Sequence, residues 1–139
     1  MLWPRVYPHR RGRLTIPGRL RVLIADDHPS LVRAISRLLA FDYEVVGSLS
    51  HGKGLLQAAQ ALQANVILLD VNLPDIDGLT ACRQVTQAAP EIKVVIFTAA
   101  SDPDARRRAS EAGASAFVDK IESGGELLST FKSLDAGRN

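Results

Sequence analysis

From Arg21 onward, five short apolar runs recur along the chain: Val22-Leu23-Ile24-Ala25, Val45-Val46, Val66-Ile67-Leu68-Leu69, Val94-Val95-Ile96-Phe97 and Ala116-Phe117-Val118. They are continuous rather than alternating, and most are rich in β-branched residues, the pattern of strands covered on both faces in a parallel sheet. Between and after them lie amphipathic stretches over about 29–40, 53–63, 78–89, 103–113 and 124–135. Leu31, Ala34, Ile35, Leu38 and Leu39 fall at the three-and-four spacing of a buried helical stripe, as do Leu127, Leu128, Phe131 and Leu134. Pro29 suits a first helical turn, where its missing N–H has no partner to lose. Gly113 and the stretch around Pro90 supply stops. Five strand–helix repeats with short connections predict an α/β fold, a doubly wound sheet with helices on both faces.

The polar residues that follow the runs carry the chemistry. The first run ends in Asp26-Asp27, the third in Asp70, the fourth in Thr98 and the fifth, after Asp119, in Lys120. In a parallel sheet these strand ends share one edge, the edge at which open α/β sheets bind ligands. Two carboxylates about 4 Å apart repel by roughly 4 kcal/mol at an effective dielectric of 20, and one lysine cannot neutralise three acids. A divalent cation can, and an oxygen-rich donor set suits Mg²⁺, with Mn²⁺ as an alternative. A cation, a hydroxyl and an ammonium converging on one carboxylate meet the needs of an incoming phosphoryl group.

Composition adds boundaries. The chain has 139 residues, 46% of them hydrophobic and 23% charged, which is ordinary for one globular domain. No apolar run reaches the ~18–20 residues needed to span a bilayer. A single cysteine, Cys82, excludes an internal disulfide framework and a multi-cysteine zinc site. The net charge of +2 conceals an asymmetry: six arginines and no acid fall in the first 22 residues. Residues 1–19 are therefore expected to be a basic, unstructured arm, residues 20–136 the domain, and residues 137–139 a tail.

Four motifs stand in order at the ends of successive strands: Ile24-Ala25-Asp26-Asp27-His28-Pro29, Leu69-Asp70-Val71-Asn72-Leu73-Pro74 followed by Asp77-Gly78, Phe97-Thr98-Ala99, and Phe117-Val118-Asp119-Lys120. Over residues 21–135 the chain resembles the receiver domain of bacterial two-component response regulators. The ADDHP opening and the EAGASAF stretch at 111–117 resemble most the subfamily carrying LuxR-type helix-turn-helix output domains. The resemblance implies a flavodoxin-like fold of five parallel strands in the order 2-1-3-4-5. It implies a phosphorylation switch, located in the cytoplasm and served by a sensor histidine kinase. It implies not an enzyme in the usual sense, but a phosphoacceptor that would catalyse its own phosphorylation and dephosphorylation. Asp70 would accept the phosphoryl group. Asp27 and Asp70 would bind Mg²⁺ directly with the Asn72 backbone carbonyl, and Asp26 through a water. Thr98, the Ala99 backbone N–H and Lys120 would contact the phosphoryl oxygens. Thr98 and Phe117 would form the switch, remodelling the surface of the fourth helix, fifth strand and fifth helix that controls a partner. A phenyl ring has no hydroxyl to keep in water, so Phe117 is expected to populate an inward position before phosphorylation. A homodimer is compatible with the family, a membrane partner is not expected, and DNA would be met only through an output domain absent from this chain.

Two alternatives remain on the sequence. One is a receiver fragment of a LuxR-type DNA-binding transcriptional regulator. The other, more remote, is a Mg²⁺-dependent phosphatase using Asp70 as nucleophile; Asn72, at the position where such enzymes keep an acid, cannot protonate a leaving group. Several residues carry plainer expectations. His28 reads as a loop and cap residue, Asp75 and Asp77 as turn formers, Cys82 as a small buried hydrophobe, and Arg106-Arg107-Arg108 as a solvated or partner-facing stretch. Ile121 stands where many receivers have proline, which removes the usual reason for a cis bond. Ala100 is too short to steer water over a phosphoryl group.

Overall fold

The computed structural model describes Tyr7–Pro8, Leu14–Thr15 and residues 18–99, 103–121 and 124–138. Five parallel strands form the central sheet: β1 (Arg21–Ala25), β2 (Glu44–Leu49), β3 (Val66–Leu69), β4 (Lys93–Thr98) and β5 (Ala116–Asp119), in the order β2-β1-β3-β4-β5. Each is followed by a helix: α1 (Pro29–Leu39), α2 (Leu55–Ala61), α3 (Gly78–Ala88), α4 (Pro103–Glu111) and α5 (Gly124–Ala136). This is the doubly wound order expected of the flavodoxin-like fold. Within the segment expected to be an unstructured arm, Tyr7–Pro8 pairs antiparallel with Leu14–Thr15.

The continuous apolar runs are divided between two faces by the strand pleat. Leu23, Ala25, Ile67, Leu69, Val94 and Ile96 point to one side, where Leu55 and Ala59 of α2, Ala81, Cys82 and Val85 of α3 and Ala109 of α4 cover them. Val22, Ile24, Val66, Leu68, Val95 and Phe97 point to the other, under Ile35 and Leu39 of α1 and Leu127 and Phe131 of α5. Phe131 is fully buried and tilts against Tyr43 at 5.4 Å between ring centroids. Burying each such aliphatic or aromatic side chain contributes roughly 1.5–3 kcal/mol.

The elements differ from the sequence expectation mainly at their ends. β2 runs to Leu49, well past Val45-Val46, and its pairing with β1 shifts register between Val22 and Leu23. α2 begins two residues late because Gly54 takes a left-handed φ of +78°, and it stops before Gln63, at φ +56°. α4 ends at Glu111, two residues ahead of Gly113 at φ +94°. At the strand starts, remote from the site described next, the Arg138 guanidinium donates to the Gly18 carbonyl at 2.7 Å. Leu20, Asn65, Val66, Lys93 and Leu134 border an open groove there.

Candidate functional site

Parallel pairing sets the C-terminal ends of β1, β3, β4 and β5 along one edge, and the polar residues after them meet there. Asp70 N–H donates to the Ala25 carbonyl at 2.9 Å, which fixes the end of β3 beside that of β1. Lys120 N–H donates to the Thr98 carbonyl at 2.9 Å, tying β5 to β4 in the same way. Asp26, Asp70, Thr98 and Asp119 are the buried polar residues among those described.

The Lys120 ammonium sits between two carboxylates, 2.8 Å from Asp26 Oδ2 and 2.9 Å from Asp70 Oδ2. The contact with Asp70 is a directed hydrogen bond. That with Asp26 is an ion pair without hydrogen-bond alignment, so buried Asp26 Oδ2 lacks a hydrogen-bond partner. Burial alone would lower the Lys120 pKa, but the close contacts with the Asp26 and Asp70 carboxylates and their charges outweigh it and hold it above the ordinary lysine value. Burial likewise works to raise Asp26, yet Lys120 and His28 hold its carboxyl below the usual range. The Lys120 nitrogen also lies 5.7 Å from the Phe97 ring centroid.

Around this pair the loops are drawn in. Asp70 Oδ1 accepts from Asn72 N–H at 3.0 Å, which folds the loop after β3 back over the strand end. Gly78 N–H donates to the Val71 carbonyl at 3.0 Å. A Cβ on Gly78 would stand 2.4 Å from Val71 Cα and 2.6 Å from the Asp70 carbonyl oxygen, so the start of α3 closes on the site only because this residue lacks a side chain. Asp77 caps α3 by accepting from Leu79 N–H, as its turn-forming reading anticipates.

The sequence reading of His28 and Asp75 needs correction. His28 occupies the N-cap position of α1 but its side chain makes no capping hydrogen bond. Instead its Nδ1 lies 2.7 Å from Asp26 Oδ1 and 3.2 Å from Asp27 Oδ1, so the ring is turned to the carboxylates and away from the helix amides. The bond to Asp26 and the charge of that residue raise the His28 pKa. Asp75 reaches across to the loop after β2, accepting from Gly52 N–H at 2.8 Å and Lys53 N–H at 2.9 Å. It clamps two loops together rather than closing a turn of its own.

Asp26, Asp27, His28 and Asp70 each offer a ligand atom, and these atoms all lie within 4.8 Å of one another. Three carboxylates, one of them with a buried oxygen that accepts no hydrogen bond, form a donor set that fits a hard divalent cation. Asn72 lies two residues from Asp70, on the same loop.

Thr98 and Phe117 border one cavity of about 210 Å³, together with Val71, Asn72, Asp77, Leu79, Ala105 and Arg108. Phe117 is half-buried, and the Arg106 guanidinium carbon stands 4.7 Å from its ring centroid. The neighbouring arginines of α4 are engaged within the helix: Arg107 pairs with Asp104 and Glu111, and Arg108 with Asp104. Ala99 is exposed at the end of β4, and Ala100 lies outside the described residues. Cys82 is buried, its thiol pushed up to about 11 by desolvation, which fits the packing role expected of it. The Lys120–Ile121 bond is trans, and Ile121 is exposed.

A family model for response regulator receiver domains matches residues 22–132. The response regulator GacA of Pseudomonas aeruginosa is 34% identical over 122 residues, covering 86% of this chain and 56% of that protein. The chain thus spans little more than half the length of that relative. Among solved structures, a two-component response regulator of the LuxR family from an Aurantimonas species superposes with a TM-score of 0.81 at 27% identity, covering 87% of this chain and 88% of that one. The signal receiver domain of the putative response regulator NarL from Mycobacterium tuberculosis gives a TM-score of 0.80 at 27% identity, covering 88% of this chain and 100% of its own. No described helix is long and apolar enough to cross a membrane.

Proposed function

Since the chain belongs to the response regulator receiver domain family, we propose that Asp70 is the phosphoacceptor of its phosphorylation switch and that a sensor histidine kinase is the donor. The observation that carries this assignment is the Lys120 ammonium held between buried Asp70 and Asp26 at adjoining strand ends. Receiver domains bind Mg²⁺ at an acidic pocket, and here Asp27, Asp70 and the Asn72 carbonyl would hold it, with Asp26 acting through a water. Mn²⁺ satisfies the same oxygen preference. When bound, the cation supplies positive charge against the phosphoryl oxygens and the acceptor.

The remaining work belongs to the chain. Asp70 presents its carboxylate from a fixed strand end, so little orientational freedom is lost on reaction. Lys120, already paired with Asp70, follows the charge as it moves onto the transferred group and forms an ion pair with a phosphoryl oxygen. The Thr98 hydroxyl and Ala99 N–H donate to the others. The aspartyl phosphate carries roughly −1.5 to −2 charges in place of one. Thr98 then moves toward it, and Phe117 turns into the cavity the two residues share, which reshapes the α4–β5–α5 surface. The same donors assist hydrolysis, in which water attacks phosphorus and the Asp70 carboxylate leaves, so the domain lowers the barriers of both reactions.

The output is proposed to be control of transcription, through a helix-turn-helix domain joined to this one in a longer protein. That proposal follows the resemblance to LuxR-type regulators. A homodimer through helix faces and a cytoplasmic location complete the reading. The phosphatase alternative is not favoured.

Incubation with acetyl phosphate and Mg²⁺, followed by intact-mass measurement, tests the assignment. The expected result is a gain of one phosphoryl group, abolished by Asp70→Asn and by EDTA. An adduct that persists in Asp70→Asn places the acceptor elsewhere.

A further inference from the structure

We infer that Arg106 is a positioning residue for the switch: its guanidinium, stacked on Phe117, holds the ring at the cavity mouth and opposes its inward turn. This rests on the reading of Phe117 as the mobile aromatic. Three observations converge. Arg106 is exposed on α4 and its guanidinium carbon stands 4.7 Å from the ring centroid, within the range of a cation–π contact. Its helix neighbours Arg107 and Arg108 are committed to Asp104 and Glu111, so of the three it is Arg106 that faces the ring. The ring borders a cavity of about 210 Å³ also lined by Thr98 and Ala105.

A ring that turns into the cavity, beneath Ala105, moves away from the exposed Arg106 guanidinium, and the stacking is lost. The contact therefore stabilises one position and not the other, which is the condition for biasing a two-state equilibrium. A cation–π contact at an exposed site corresponds to about a two- to fivefold change in that equilibrium. By linkage, a ligand that favours the inward ring binds more tightly once the stacking is removed, by up to that factor when the resting ring is mostly outward. The sign is diagnostic. If Arg106 acted only as a nearby positive charge, its removal would weaken the binding of an anion. Removal of a latch strengthens it.

The protein labelled with 4-fluorophenylalanine carries four probes, and Phe117→Leu assigns the one at 117. Spectra of the wild type, Arg106→Ala and Arg106→Lys are recorded with and without beryllofluoride and Mg²⁺, alongside titrations of beryllofluoride affinity and urea denaturation. Alanine sustains an exposed helix at least as well as arginine, so α4 is retained. Arg106→Ala is expected to move the resting Phe117 resonance toward its beryllofluoride position and to tighten beryllofluoride binding by up to about two- to fivefold, with folding stability lowered by no more than the lost contact. Arg106→Lys should restore most of the difference. In a Phe117→Leu background Arg106→Ala should have no effect on affinity. If beryllofluoride shifts the ring in the wild type but Arg106→Ala neither moves the resting resonance nor tightens binding, the latch is overturned and the switch reading stands. A Phe117 resonance that beryllofluoride does not move overturns both.

Discussion

Replacing Lys120 with methionine removes the ammonium from between two buried carboxylates while keeping an apolar stem beside the Phe97 ring. The ligand oxygens of Asp26 and Asp70 lie within 4.8 Å of each other. Two negative charges at that separation repel by about 1 kcal/mol at the dielectric of water and about 3.5 kcal/mol at an effective dielectric of 20. The site lies between these limits: the two carboxylates are buried, but neighbouring Asp27 is exposed. A loss of about 1–3 kcal/mol of folding stability is therefore expected for Lys120→Met in EDTA, read by urea denaturation at neutral pH. Mg²⁺ should then act more strongly on the variant than on the wild type, because a dication binds the folded site without having to share it with an ammonium. The midpoint gained on adding Mg²⁺ is the decisive measurement. Equal gains in the two proteins, or a variant as stable as the wild type in EDTA, would refute the view that Lys120 neutralises this site.

Two further outcomes follow from the loops around it. Gly78→Ala should cost about 1–3 kcal/mol net of any helix-propensity gain, since the new Cβ meets Val71 and Asp70 backbone atoms that have no rotamer to adopt; urea denaturation reads the loss, and phosphorylation by acetyl phosphate should slow with it. The amides of Gly52 and Lys53, bonded to Asp75, hold its carboxyl below the usual range. Its folded pKa is thus lower than its unfolded one, so its contribution is present above about pH 4 and fades as pH falls through the lower folded value. In Asp75→Ala, hydrogen exchange at the Gly52 and Lys53 amides should accelerate at neutral pH while the core amides are unchanged.

The sheet was legible because each buried strand announces itself as an unbroken apolar run, and because parallel pairing then puts all the run ends on one edge. β2 was the least visible strand: as an edge strand it pairs on one side only, and Gly47 and Ser48 break its apolar run at a register shift. Helix ends moved by a residue or two wherever a left-handed residue such as Gly54 intervened. In the site, Asp26, Asp27, Asp70 and Lys120 could be read as a group because each directly follows, or nearly follows, a strand. The contacts of His28 with Asp26, Asp75 with Gly52, and Arg106 with Phe117 could not. Each depends on the direction of a side chain leaving a loop or helix, and one-dimensional periodicity carries no record of that direction. For Asp75 the turn-forming reading described the residue type correctly and its partner wrongly.

The hydrogen bond from Arg138 to the Gly18 carbonyl sets the entrance and exit of the folded unit side by side, at the edge of the sheet away from the acidic pocket. Such a unit can be grafted into a surface loop of a host polypeptide, or circularly permuted by bridging those two points, without stretching any strand. Its chemistry then travels intact into new architectures, answering to whatever is tethered at the far edge.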